Sequence, residues 1–71
     1  MGEVARMKLT PDNMRAMCDW VVADKTIGSH RLEAVGEKLL ITIDTPQGLM
    51  SINEGQWLTK DDKGTFKVID K

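Results

Sequence analysis

The chain has 71 residues, enough for one domain, with ten Lys and Arg set against eleven Asp and Glu and a hydrophobic share of 41%. That share is too high for a disordered chain, and a net charge of −1 argues against a general nucleic-acid binder, which needs surplus cations to displace phosphate counterions. Cys18 as sole cysteine excludes an intrachain disulfide and a cysteine-built zinc site, and no apolar run approaches the ~20 residues that span a bilayer.

Residues 1–6, Met1-Gly2-Glu3-Val4-Ala5-Arg6, contain no apolar stretch of the kind a secretion signal requires. Gly2 resembles a myristoylation site, but Arg6 stands where Ser or Thr is needed. This segment is expected to be a loose leader, followed by a single α+β domain over residues 7–71. Thr10-Pro11-Asp12 then signals a helix start. Thr caps by accepting a backbone N–H, Pro tolerates the first helical position, and Asp12 meets the positive end of the dipole. The helix is predicted from Pro11 to Ala23 or Asp24. Met14, Met17, Cys18 and Val21 form its buried stripe, widened by Val22 and flanked by Trp20, with Asn13, Arg15 and Asp19 toward water.

Gly28 suits a turn, and His30 to Val35 alternates as a short strand, ended by a tight turn at Gly36-Glu37. Leu39, Ile41 and Ile43 alternate with Leu40, Thr42 and Asp44, the period of a strand with one buried face. Pro46 presets φ for a turn that Gly48 closes, and Leu49 to Ile52 returns. After a turn at Asn53-Glu54-Gly55, Gln56 to Lys60 is a strand with Trp57 and Leu58 on opposite faces. Asp61-Asp62-Lys63-Gly64 closes a second hairpin, and Phe66 and Val68 share one face of its return. The expected fold is α+β: one amphipathic helix packed on an antiparallel sheet of four to five strands. A core this small supports ~3–5 kcal/mol of stability, so docking on a partner, or on a second copy as a homodimer, is a natural way to add burial.

No catalytic constellation emerges. Cys18 and His30 are the one conventional nucleophile–base pair, but Cys18 lies on the buried stripe and reads as a small core residue. His30, beside a turn, reads as solvated. Asp61-Asp62 lacks the spaced acids of a calcium loop and reads as a polar hairpin tip. The five scattered glycines from Gly28 to Gly64 make no phosphate cradle. Neither a metal nor a cofactor is expected. Candidate binding residues are Trp20, Arg31, Lys38 and Trp57. Trp57 is expected to be core, whereas Trp20 is open to either role. Lys25, His30, Arg31 and Lys38 cluster around the middle loops, where they would meet an anionic ligand or simply face water.

The C-terminal half carries a recognisable order. Ile43-Asp44-Thr45-Pro46-Gln47-Gly48-Leu49-Met50, then Glu54-Gly55-Gln56-Trp57-Leu58, then Lys63-Gly64-Thr65-Phe66, resembles a family of small, uncharacterised bacteriophage proteins. In that family a Thr–x–x–Gly turn precedes a Gly-Asp-Trp-Ile strand and a Gly-Glu-Phe return. Its actinophage-like members open on a Thr-Pro-Glu-Asn helix, which Thr10-Pro11-Asp12-Asn13 resembles, with Cys18 and Trp20 standing for their Trp-Cys pair. The likeness spans residues 8–69. It departs at Gln56 (Asp in the family), Glu54 (Pro) and Thr65 (Glu), and the family's Cys-Lys-Pro-Asp tail is absent. The resemblance implies a phage or prophage origin and carries over no catalytic residue. The expectation is a non-enzymatic accessory protein of the host cytoplasm that binds a host or phage macromolecule, a protein above all, for instance to inhibit a host enzyme or defence system. The alternative is a binder that sequesters a nucleotide-type signal.

Overall fold

The computed structural model describes residues 3–70. In chain order the elements are β1 (Glu3–Lys8), α1 (Met14–Ala23), β2 (His30–Val35), β3 (Lys38–Thr45), β4 (Gly48–Asn53), β5 (Trp57–Asp61) and β6 (Phe66–Ile69). The strands form two antiparallel three-stranded sheets, ordered β1-β5-β6 and β2-β3-β4. The expectation of one sheet of four to five strands is therefore corrected to six strands in two sheets. The extra strand is β1. Glu3 to Arg6, assigned to a loose leader, instead pair with β5, and Met1 and Gly2 lie outside the described residues. Met7 opposes Leu58 and faces the core, while Arg6 and Lys8 oppose Thr59 and Trp57 on the other face. Arg6 and Lys8 around Met7 have the period of a half-buried strand, which the assignment of residues 1–6 to a leader cut across.

The helix begins three residues later than expected, at Met14. Thr10 does cap, but it caps a single turn: Asn13 donates its N–H to Thr10 Oγ1 at 3.1 Å and to the Thr10 carbonyl at 3.1 Å. That bond spans three residues, so the first turn is wound tighter than an α-helix, and α geometry starts where Met17 N–H reaches the Asn13 carbonyl at 2.9 Å. Met17 and Val21 are buried, and Met14 and Cys18 pack half-buried beside them, as the stripe requires. Val22 is 64% exposed and does not widen it. One residue past Val21 is a rotation of ~100° away from the stripe.

The core is Leu9, Met17, Val21, Ile41, Ile43, Ile52, Leu58 and Phe66, drawn from the helix, its entry and both sheets. The linkage between sheets is the turn joining β4 to β5. There Gly55 donates to the Leu9 carbonyl at 2.8 Å, Leu9 donates to the Gln56 carbonyl at 2.9 Å, and Glu54 donates to the Leu39 carbonyl at 3.0 Å. Glu54 Oε1 accepts from Leu39 N–H at 3.0 Å, and Gln56 Oε1 accepts from Asn53 N–H at 2.8 Å. One turn thus fastens both sheets and the chain entering the helix.

Candidate functional site

The register of β1-β5-β6 sorts its side chains onto two faces. Met7, Leu58 and Phe66 point into the core, and Lys60 shares their face because it opposes Phe66. Arg6, Lys8, Trp57, Thr59, Lys67 and Ile69 occupy the outer face, paired cross-strand as Arg6–Thr59–Lys67 and Lys8–Trp57–Ile69. The Arg6 guanidinium lies 4.6 Å from the centroid of the Trp57 ring, a cation–π contact. Thr59, flanked by Arg6 and Lys67, is only 4% exposed and donates its hydroxyl to the Lys67 carbonyl at 3.3 Å. The Arg6 side chain therefore lies over the sheet. The result is a half-buried tryptophan set among three cations, on a chain whose net charge is −1.

Trp57 was expected in the core. It is half-buried on the opposite face, because it alternates with Leu58, which takes the core position. Trp20 lies across the sheet from it. Its ring is 6.2 Å from that of Phe66, tilted by 48°, and it packs against the core edge. The two tryptophans therefore do not share a site.

Beside Trp20, a concavity of about 450 Å³ is lined by Trp20, Ala23, Asp24, Lys25, Thr26 and Lys60. Two of its charges, Asp24 and Lys60, are paired with each other. Lys60 Nζ lies 2.7 Å from Asp24 Oδ2 and 5.4 Å from the centroid of the Phe66 ring, and Thr26 donates its N–H and hydroxyl to Asp24 Oδ1 at 2.9 and 2.6 Å. Burial pushes the Asp24 carboxyl up, but the hydrogen bonds from Lys60 and Thr26 outweigh it and hold its pKa at about 2. At neutral pH this group is a paired carboxylate and not a proton donor, and its role is to tie the helix end to β5.

Arg31 and Lys38 share the outer face of β2-β3-β4, since Arg31 opposes Thr42 and Lys38 opposes Val35. Four residues of strand, roughly 13 Å, separate the two positions. Arg31 lines a shallow concavity of about 360 Å³ together with Glu33, Thr42, Asp44 and Leu49. Glu33 and Asp44 offset its positive charge. The four residues singled out from sequence therefore fall in three places: Trp57 on one sheet's outer face, Trp20 beside the core, and Arg31 and Lys38 on the other sheet. Cys18 is half-buried against the core, and His30 is exposed on β2 opposite Ile43.

Among the described residues no cluster of three or more His, Cys, Asp or Glu could hold a metal ion, and no helix is long and apolar enough to cross a membrane. Sequence reasoning missed Arg6, Lys8 and Lys67. The available signal was alternation: Arg6 and Lys8 flank Met7, and Lys67 separates Phe66 from Val68. No family model, curated protein or solved structure matches the chain.

Proposed function

We propose that the protein is a non-enzymatic binding module whose working surface is the outer face of β1-β5-β6, docking an acidic patch of a protein partner. The observation that carries this reading is Trp57 with Arg6 across its ring and Lys8 and Lys67 on the same face. Trp and Arg are the residue types over-represented at interface hot spots, and a basic rim speeds encounter with an acidic surface. The reading fits the resemblance to small phage proteins, which implies a phage or prophage accessory factor acting by covering a host enzyme or defence complex.

The experiment is capture from host lysate with the unmodified protein beside two surface variants, Trp57→Ala and the double reversal Lys8→Glu with Lys67→Glu. A partner retained by the unmodified protein should be lost by both variants and released as salt rises. A partner held equally by all three proteins would show that this face is not the working surface. A nucleotide-type ligand is the second reading, because the Trp57 face already accepts a planar cation and could stack a base, leaving Lys8 and Lys67 for phosphate. It predicts a nucleotide-dependent rise in melting temperature that Trp57→Ala removes.

A further inference from the structure

The β2 strand is the edge of its sheet, with β3 on one side and, among the described residues, no strand on the other. All six of its residues are exposed, including Leu32 at 40% and Val35 at 60%. Protein edges are usually guarded by charged side chains, lysine above all, or by proline, a bulge or short length. From His30 to Val35 this strand has no lysine and no proline, its pairing to β3 runs in unbroken register, and its two charges, Arg31 and Glu33, are of opposite sign.

The direction of its unused hydrogen-bonding groups follows from the hairpin. Val35 and Lys38 flank a two-residue turn in which Gly36 has φ 66°, the geometry of a tight hairpin whose flanking pair is hydrogen-bonded. At the far end Asp44 donates its N–H to the Ser29 carbonyl at 2.9 Å. Odd-numbered residues of β2 therefore bond inward to β3, and the N–H and C=O of His30, Leu32 and Ala34 point to the open edge. The side chains of those same three residues lie on the sheet face that carries Ile41 and Ile43, since Leu32 opposes Ile41 and His30 opposes Ile43. Leu32 and Ala34 thus prolong the core face beyond what the molecule itself covers.

We infer that this edge is a self-association site, at which the β2 strands of two copies pair antiparallel about a two-fold axis through Leu32. Pleating requires that opposed residues point to the same face, so candidate registers differ by steps of one residue at the axis. With Arg31 on the axis, two arginines oppose each other. With Glu33 on the axis, two glutamates do. With Leu32 on the axis, Arg31 opposes the second copy's Glu33 twice over, Leu32 opposes its twin, and His30 opposes Ala34. The strand's own sequence, Arg31-Leu32-Glu33, is thus charge-complementary to itself in one register and repulsive in the two neighbouring ones. The Arg31–Glu33 pairs fall at the non-hydrogen-bonded positions, where side chains approach most closely. The product is a continuous six-stranded sheet in which the Leu32 overhang is covered.

Sedimentation of the full chain from about 10 μM to about 1 mM tests this, because short-edge interfaces are weak. The unmodified protein should pass from monomer to dimer in that range. Arg31→Glu and Glu33→Arg should each lower the association constant by roughly tenfold to hundredfold, since each turns two attractive cross-strand pairs into repulsive ones. Mixing the two variants should restore a dimer, because every opposed pair then has opposite sign. The chain carrying both reversals should dimerise like the unmodified protein, and it decides the matter should a single variant fail to fold. A protein monomeric throughout, or a dimer indifferent to both reversals, overturns the inference.

Discussion

Asp24 and Lys60 show how a single ion pair closes this fold. Asp24 ends the helix with an extended backbone (φ −83°, ψ 115°), its carboxylate is 6% exposed, and Lys60 reaches it from the core face of β5. Its pKa of about 2 lies below the ordinary 3.8, so the folded state binds this proton less readily than the unfolded chain does. The stabilisation is therefore present above about pH 4 and lost as pH falls through about 2. Lys60 is a quarter exposed, and solvent screening holds the expected contribution to about 1 kcal/mol. Asp24→Asn should lower stability by that amount at neutral pH. It should also flatten the fall in denaturation midpoint between neutral and acid pH, measured by urea titration across the series. An acid slope as steep as in the unmodified protein would assign acid sensitivity to other carboxylates. None of this pairing is visible locally, because the partners are 36 positions apart.

At the scale of elements, turns and strands were legible where one residue's geometry decides them. Gly48 and Gly64 have φ 113° and 87°, as their turn positions require. Asp61 accepts the N–H groups of Thr65 and Lys63 at 2.8 and 2.9 Å, which lowers its pKa and closes the hairpin tip as a turn. The more consequential turn is the one at Gly55, with φ 96° and open space where a Cβ would stand. Gly55→Ala should therefore cost about 1–2 kcal/mol through backbone strain alone. Because that turn fastens both sheets, the loss should lower the melting temperature of the whole molecule in one transition. Separate melting of β2-β3-β4, seen by amide exchange, would show instead that the turn is not the linkage. Strand β1 was illegible for the opposite reason. Its alternation, two cations around one methionine, is too short to mark a strand until β5 lies beside it.

At the scale of the molecule, eight side chains among the described residues, from the helix, its entry and both sheets, make the core, so removing one loosens every layer. Ile52, fully buried on β4, should cost about 3 kcal/mol as Ile52→Ala. That is comparable to the total a core of this size supplies, and the variant should show no cooperative thermal transition. Val22→Ala should shift the transition little, since Val22 is 64% exposed. Equal effects of the two substitutions would contradict the layout of the core.

The amino-acid sequence by itself determined the helix stripe at Met14, Met17, Cys18 and Val21, the alternation of β3, and the glycine turns. Each depends on periods and dihedral preferences that act within a few residues. Tertiary structure alone decided that the leader is a strand, that the sheet is two sheets, and that Trp57 turns outward among Arg6, Lys8 and Lys67 while Trp20 turns in. Those outcomes depend on which face of a strand finds cover, and cover is supplied by residues remote in the chain, as Leu58 is from Met7.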